Sequence, residues 1–263
     1  MHDAHAVSWP ELAAVVLSRE LRNGEVGSPG GSRSEIPLAA ARLAQALHAP
    51  DMTIITSAAG CVMNSVDKPW SPMYHSTTDF RNTYAGVEAM MPFHTLFLSR
   101  RDWFFAGGLQ VDAYGNLNMN RIVGDNGELI MQGPGAAALP SATGNAERFY
   151  IYMQQHSPRS FVRTLGYRSA VGYGDGPGYR ESLGLRGGGP ALVVSPLATM
   201  DFDESSRRMR LKSIHPGHTL DEVIQATGFE LIVPEHVPET EGPSATEIEV
   251  LRAKIDKQGV LKR

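Results

Sequence analysis

The sequence predicts an α/β fold, an open and mostly parallel sheet layered with helices. Apolar runs of strand length alternate along the chain with amphipathic segments that follow helix-capping residues. The chain has 263 residues, of which 42% are hydrophobic and 20% charged, so it can bury a sizeable core. Neither a break in composition nor an internal repeat divides it. We therefore expect a single domain over residues 1–263.

Each helix is predicted from a capping signal in front of an apolar stripe. Ser8-Trp9-Pro10-Glu11 is a capping box with proline in the tolerated first turn. Glycine or proline marks the ends of the segments. The predicted helices run from Ser8 to Gly24, from about Ile36 to His48, from Thr219 to Gly228 and from Ser244 to near Gly259.

The strands are predicted from short apolar runs bounded by turn residues. A glycine-rich segment, Gly172–Pro190, matches neither a P-loop nor a dinucleotide-binding fingerprint, so it is interpreted as one long structured surface loop. The predicted strands are Met52–Thr56, Asp102–Gly108, Arg148–Gln154 and Ala191–Pro196.

Charge and cysteine content exclude several classes of function. A net charge of -4 and a pI near 6.1 give no reason to expect nucleic acid or an anionic membrane as a partner. The single cysteine, Cys61, rules out an internal disulfide and a cysteine-based zinc site. His215 and His218 are three residues apart, but Pro216-Gly217 disfavours a helix there and no metal site is expected. Without a signal peptide or a membrane-length apolar run, we expect a soluble cytoplasmic protein.

Two segments have the composition of a site that binds a carbonyl or carboxylate. In Gly107–Asn118, GGLQVDAYGNLN, a strand ends in two glycines and is followed by the amides Gln110 and Asn116, which can hold an oxygen without adding charge. In Met131–Pro140, Gly133 and Gly135 can expose backbone N–H groups to an oxyanion. The alternatives are a hairpin braced by its own polar side chains and a plain loop.

The stretch Thr53–Ser65, TIITSAAGCVMNS, resembles a strand that ends at an active-site rim. The residues delivered there are small or carry only hydroxyls, Ser57 and Ala58 among them, and no carboxylate occurs from Thr53 to Val66. Cys61 has no neighbouring histidine or cationic run, so we interpret it as a small buried residue.

Together these segments resemble the class I CoA-transferase family, in particular β subunits of the glutaconate CoA-transferase type. The resemblance extends from RNGEVGSPGGS near the start, through GGLQVDAYGNLN, QGPGAA and GYGDGPGYRESLG, to SIHPGHTLDEVIQATGFEL. It implies a homologous α subunit, usually in an α2β2 assembly, and an active site between the two chains. It also implies an acyl-CoA substrate, with coenzyme A as part of that substrate and no further cofactor.

The family's nucleophile is a glutamate that the resemblance places at or next to Ser57, where this chain has none. Two related enzymes, a steroid ring-opening hydrolase and a methylglutaconyl-CoA decarboxylase, resemble the transferases but perform other reactions on CoA thioesters. The segment YAGVEAMMPF places Glu88 as a candidate acid/base, or as a mere helix-start charge. We therefore expect hydrolysis, C–C cleavage or decarboxylation; the alternatives are CoA transfer through a carboxylate of the α subunit, and a non-catalytic structural subunit.

Overall fold

The computed structural model describes residues 6–30, 35–56, 61–63, 85–86, 101–124 and 126–262, with side chains throughout except at 56, 61–63 and 85–86. These residues belong to two compact units. Unit 1 comprises residues 1–103 and 241–263, and unit 2 comprises residues 104–240. The expectation of one domain over residues 1–263 stays a prediction.

Unit 1 consists of two helices, short strands and a C-terminal helical segment. Strand β1 pairs with β2 in parallel, and β3 and β4 continue this sheet with antiparallel pairing. The last helix continues as a π-helical turn, Leu251–Ile255, and a separate 3-10 turn, Val260–Lys262, follows after four non-helical residues. The elements are α1 Trp9–Arg19, β1 Val26–Ser28, α2 Glu35–Leu47, β2 Thr53–Thr56, β3 Cys61–Met63, β4 Ala85–Gly86 and α6 Ala245–Val250.

The N-terminal capping boxes are present as predicted. Ser8 Oγ accepts a hydrogen bond from the Glu11 N–H at 3.2 Å, and the Glu11 carboxylate accepts one from the Ser8 N–H at 3.0 Å. Equivalent reciprocal pairs begin the helices after Thr219 and Ser244. Capping fixes where these helices begin, because the side chains satisfy backbone donors that have no partner within the helix.

A buried ion pair attaches the C-terminal segment of unit 1 to α1. Arg252 donates to both carboxylate oxygens of Glu11, at 2.8 and 2.9 Å, and the Glu11 residue is 1% exposed. Burial raises the pKa of Glu11, but the hydrogen bonds from Arg252 and Ser8 outweigh that effect and lower it overall. A second pair joins Arg19 to Glu247 at 2.8 Å. The C-terminal segment is therefore part of unit 1 rather than a loose tail.

Unit 2 is built on a sheet in which β10 pairs with β11 in parallel, while β12 and β13 add an antiparallel hairpin. Strand β5 crosses the sequence boundary between the units. Two small antiparallel pairs, β6–β7 and β8–β9, lie outside this sheet. The elements are β5 Arg101–Gly107, β6 Gln110–Val111, β7 Leu117–Asn118, β8 Arg121–Val123, β9 Leu129–Gln132, α3 Leu139–Asn145, β10 Ala146–Tyr152, α4 Tyr179–Ser182, β11 Pro190–Val194, β12 Ala198–Phe202, β13 Met209–Ile214 and α5 Leu220–Ala226.

The predicted α/β class, with helices layered on an open sheet that contains parallel pairs, is confirmed. The four predicted strands lie within two residues of their observed limits, and α1 ends at Arg19, five residues before Gly24. The hairpin β12–β13 and helix α3 were not predicted. None of the described helices has the length and apolarity that crossing a bilayer requires.

Candidate functional site

The segment Gly107–Asn118 folds as a compact hairpin, β6–β7, with its polar side chains turned inward. Asn116 is fully buried, and its Nδ2 donates to Asp112 Oδ2 and to the Gly174 carbonyl, both at 2.8 Å. Its Oδ1 accepts from the N–H groups of Gly172 and Gly174 at 2.9 and 3.1 Å. An amide has two donors and two main acceptor positions, so the capacity of Asn116 is filled within the protein.

Asp112 completes this buried cluster. Its Oδ1 accepts from the N–H groups of Tyr114 and Asn116 at 2.9 and 3.0 Å, which closes the tight turn. Burial raises the pKa of Asp112, and its hydrogen bonds offset this only in part. Asp112 was not predicted as a site residue, although an Asp four residues before an Asn across a glycine turn is typical of a braced hairpin.

The cluster shows that the glycine-rich segment, interpreted from the sequence as a structured surface loop, is buried in part. Gly172 and Gly174 are buried, and a Cβ at Gly172 would lie 2.4 Å from backbone atoms of Tyr114 and Gly115. Glycine is required there because two backbone segments approach too closely for any side chain. The loop therefore packs against the hairpin turn and fixes its position.

Gln110 lies at the other end of the hairpin and keeps part of its hydrogen-bonding capacity. It is 8% exposed; its Oε1 accepts from Asn118 Nδ2 at 2.8 Å, and its Nε2 donates to the Arg159 carbonyl at 3.3 Å. One Nε2 hydrogen has no acceptor among the residues that the structure describes. Of the two predicted amides, Gln110 is therefore the one able to donate to an added oxygen without breaking a bond.

The glycines Gly133 and Gly135 follow β9 and close the loop between that strand and α3. Their N–H groups donate to the carbonyls of Asn120 and Met119, at 2.6 and 3.1 Å. A Cβ at Gly133 would lie 2.4 Å from the Met119 carbonyl oxygen, whereas Gly135 has φ +89° and open space around it. Both N–H groups are thus occupied in this structure, and oxyanion binding by them stays a prediction.

The remaining predicted site residues, Ser57, Ala58 and Glu88, lie outside the described residues. Strand β2 ends immediately before Ser57, and Cys61 begins β3, pairing with Thr56 in an antiparallel turn-back that was not predicted. The structure thus brings Gln110 and Asn116 together on one hairpin and does not test the proximity of the other three. Their roles stay predictions.

A second polar cluster, around His156 and His215, lies at Ser195, the residue after β11. His156 Nδ1 lies 2.7 Å from Ser195 Oγ, and its Nε2 lies 3.0 Å from Thr227 Oγ1. His215 Nε2 lies 2.8 Å from the Ser195 carbonyl oxygen, and its Nδ1 lies 2.9 Å from Thr240 Oγ1. Burial lowers the pKa of His156 to about 3 and that of His215 to about 4. Both rings are therefore neutral at pH 7 and satisfied by the protein.

The described residues offer no metal site, and a groove in unit 2 lies apart from Gln110 and Asn116. Over the described part of the chain, no group of three or more His, Cys, Asp or Glu residues could hold a metal ion. A groove of about 760 Å³ lies beside the hairpin turn, and its arginines are Arg163 and Arg208, the latter 3.4 Å from the Glu230 carboxylate. Neither Gln110 nor Asn116 lines it.

Comparison with known proteins places this architecture in a family. The Coenzyme A transferase family model matches residues 11–226. The B subunit of glutaconate CoA-transferase from Acidaminococcus fermentans is 34% identical over 255 residues, covering 94% of this chain and 91% of that protein. The B subunit of 3-oxoadipate CoA-transferase from Pseudomonas knackmussii is 32% identical, covering 94% and 93%. The cholesterol ring-cleaving hydrolase IpdB subunit of Rhodococcus jostii is 28% identical, covering 87% and 85%.

Solved structures agree with the sequence comparison. The crystal structure of Acidaminococcus fermentans glutaconate CoA-transferase matches with a TM-score of 0.84 at 28% identity, covering 99% of both chains. The decarboxylase AibA/AibB matches with a TM-score of 0.79 at 21% identity, covering 98% of both, which shows a shared fold. The predicted resemblance is confirmed: the chain belongs to the coenzyme A transferase family and is homologous to its β subunits.

Proposed function

We propose that this chain pairs with a homologous α subunit and that the complex processes an acyl-CoA thioester by hydrolysis, C–C cleavage or decarboxylation. The observation that supports this most is the absence of any Asp or Glu from Thr53 to Val66, the stretch that comprises strand β2 and the ten residues after it. The resemblance to the family places a nucleophilic glutamate there. The ring-cleaving hydrolase and decarboxylase relatives support the same chemistry.

The missing carboxylate matters because of the energies of the covalent intermediates. A glutamate that attacks a thioester forms an acyl anhydride and then a glutamyl-CoA thioester, which are comparably activated, so CoA can be passed on reversibly. A serine at position 57 would form an ordinary ester, which lies far downhill. Ser57 therefore cannot replace the glutamate in a reversible transfer.

Gln110 is the proposed donor to the thioester oxygen. Cleaving a C–C bond or losing CO2 next to a thioester leaves an enolate, whose negative oxygen is stabilised by fixed neutral donors. Gln110 Nε2 has one hydrogen without an acceptor among the described residues, which makes it such a donor, and Asn118 orients the amide. Asn116 and the Gly133–Gly135 turn shape the site around it, Ser57 and Ala58 leave room for the substrate, and Glu88 is the acid/base candidate.

The proposed assembly is the α2β2 complex of the cytoplasm, with most of the coenzyme A contacting the α subunit. Coenzyme A enters as part of the substrate, and no separate cofactor is proposed. The complex would serve in the catabolism of an organic acid activated as its CoA thioester.

Two other functions are the alternatives to this proposal. True CoA transfer would require a carboxylate supplied by the α subunit; the 3-oxoadipate and glutaconate CoA-transferase relatives favour that alternative. A purely structural subunit would leave Gln110 and Glu88 without influence on the rate. The residual donor capacity of Gln110 argues against that second alternative.

Site variants of the purified complex test the proposal. Removing the Gln110 donor with Gln110→Leu is expected to lower kcat by about 10²-fold, the usual effect of losing one oxyanion donor. Glu88→Gln is expected to lower kcat while the complex stays assembled. Gln132→Leu is the matched control, since the partners of that exposed amide within the described part of the chain are the backbone carbonyls of Asn120 and Gly133. Unchanged rates in both site variants would contradict a catalytic role for this chain.

A further inference from the structure

Arg180, the second residue of helix α4, is a buried arginine whose guanidinium holds four backbone carbonyls; the residue is 4% exposed. Its Nε donates to the Gly187 carbonyl and its Nη2 to the Thr143 carbonyl, both at 3.0 Å. Its Nη1 donates to the carbonyls of Val171 and Gly172, at 3.2 and 2.9 Å. One side chain therefore ties helix α3 to both ends of the glycine-rich segment.

The charge of Arg180 is compensated by these carbonyl dipoles, since the arginine forms no ion pair with any described residue. Burying a charge is unfavourable unless hydrogen bonds compensate for the lost water, and an apolar side chain of similar size would avoid that cost. The planar guanidinium, with donors in a fixed fork, can hold several backbone segments in defined directions, which a lysine ammonium cannot. The arrangement is thus explained by the backbone geometry that it imposes.

The segment that this guanidinium holds runs along strand β7 of the site hairpin. The Leu117 N–H donates to the Ala170 carbonyl at 3.0 Å, and the Ser169 N–H donates to the Leu117 carbonyl at 2.7 Å. Ser169 Oγ accepts a hydrogen bond from the Met119 N–H at 2.9 Å. The segment therefore fixes the backbone on both sides of Asn118, the residue that orients the Gln110 amide.

A second connection reaches the same hairpin through its turn. Gly172, whose carbonyl Arg180 holds, donates its N–H to Asn116 Oδ1 at 2.9 Å. A donor that stabilises a developing negative oxygen is effective only if its direction is fixed before the reaction. Both connections act on that direction, because they hold the hairpin that carries Gln110.

We infer that Arg180 is a positioning residue for the Gln110 donor: its four bonds set the direction of the Nε2 hydrogen that has no described acceptor. Arg180 is buried and acts through the backbone, so it is not itself expected to touch the substrate. The inference deepens the proposed function, on which it rests, by naming the group that holds the oxyanion donor in place.

Turnover by arginine variants of the purified α–β complex tests the positioning role. The probe is the acyl-CoA that the wild type processes fastest in a panel of saturated, unsaturated and keto acyl-CoA thioesters, assayed well below each melting temperature. Arg180→Met is expected to lower kcat about tenfold, part of the about 10²-fold effect of losing an oxyanion donor, with KM unchanged. Arg168→Met is the matched control with wild-type kcat, since that exposed arginine donates to side chains of Tyr179 and Asp175.

A double-mutant cycle shows whether Arg180 acts through Gln110. In the Gln110→Leu background, Arg180→Met is expected to change kcat by less than about twofold, because the donor that it positions is already gone. A decrease of the same size in both backgrounds would overturn the inference, and so would a raised KM with wild-type kcat. If Arg180→Met does not fold, Arg180→Lys replaces it: the ammonium keeps the charge but spans fewer carbonyls, and a wild-type kcat there would contradict the positioning role.

Hydrogen exchange followed by mass spectrometry gives a measurement that does not depend on turnover. The peptide spanning β6 and β7 is expected to lose protection in the Arg180 variants and to keep it in Arg168→Met. Unchanged protection in the Arg180 variants would overturn the inference while leaving the proposed function intact. Full activity in Gln110→Leu, with protection lost in Arg180→Met, would instead refute the donor role of Gln110 and the positioning role with it.

Discussion

Replacing Asn116 with alanine tests the buried cluster that holds the β6–β7 hairpin against the glycine-rich loop. The substitution removes four hydrogen bonds of 2.8–3.1 Å, whose partners are groups of Asp112, Gly172 and Gly174. Asn116 is 0% exposed, so bulk water does not reach the groups left behind. A buried polar group without a partner costs about 1–3 kcal/mol, so the low end for four groups is about 4 kcal/mol.

That loss is a large part of the 5–15 kcal/mol that typically stabilises a folded protein. We expect Asn116→Ala to lower the melting temperature by roughly 10 °C and to shift urea unfolding by about 4 kcal/mol. Asn126→Ala is the control, because the one partner of that exposed amide among the described residues is Glu128, and it should change stability by less than about 0.5 kcal/mol. If the free energy of unfolding of Asn116→Ala lay within about 1 kcal/mol of the wild-type value, the bracing role would be refuted.

Two further predictions concern unit 2. The pKa values of His156 and His215 in the folded chain, about 3 and 4, lie below the unfolded value of 6.5. Below pH 6.5 the unfolded chain therefore binds protons that the folded chain does not. The contribution of the two neutral histidines to the free energy of unfolding is full above pH 6.5 and falls as the pH decreases toward 4. Urea unfolding should show a loss of up to about 1.4 kcal/mol per pH unit for each histidine, and a flat profile would contradict it. Gly172→Ala should destabilise the chain by several kcal/mol in thermal unfolding, because the added Cβ would overlap backbone atoms. Gly242→Ala is the control, since a Cβ there would have no atom within 4 Å and should not destabilise the chain. Equal melting temperatures for the two variants would contradict the close approach at Gly172.

The sequence predicted those elements whose signals are local. Capping boxes at Ser8, Thr219 and Ser244 fixed three helix starts, since the reciprocal bonds involve residues three positions apart. Buried apolar runs fixed the parallel strands. Hairpin β12–β13 was missed although Met209, Leu211 and Ser213 alternate inward, because the intervening Arg210 and Lys212 make the segment polar overall.

The candidate site was predicted only in part, because composition does not reveal which polar groups a side chain already bonds. The amides Gln110 and Asn116 were chosen for the same reason, yet only Gln110 keeps a donor without a described partner. The packing partner of Asn116 lies 56 to 58 residues away along the chain, at Gly172 and Gly174, which no local pattern indicates. Distant backbone contacts of this kind become visible only in the folded chain.

Exchange of labelled carboxylate into acyl-CoA tests the central claim most directly. The purified α–β complex is incubated with an acyl-CoA and isotopically labelled acetate, and the label in the CoA thioester and the release of CO2, free CoA or a ring-opened acid are followed together. The absence of a carboxylate from Thr53 to Val66 predicts product release with no label in the thioester. Rapid labelling of the thioester would contradict the account and show that the complex transfers CoA.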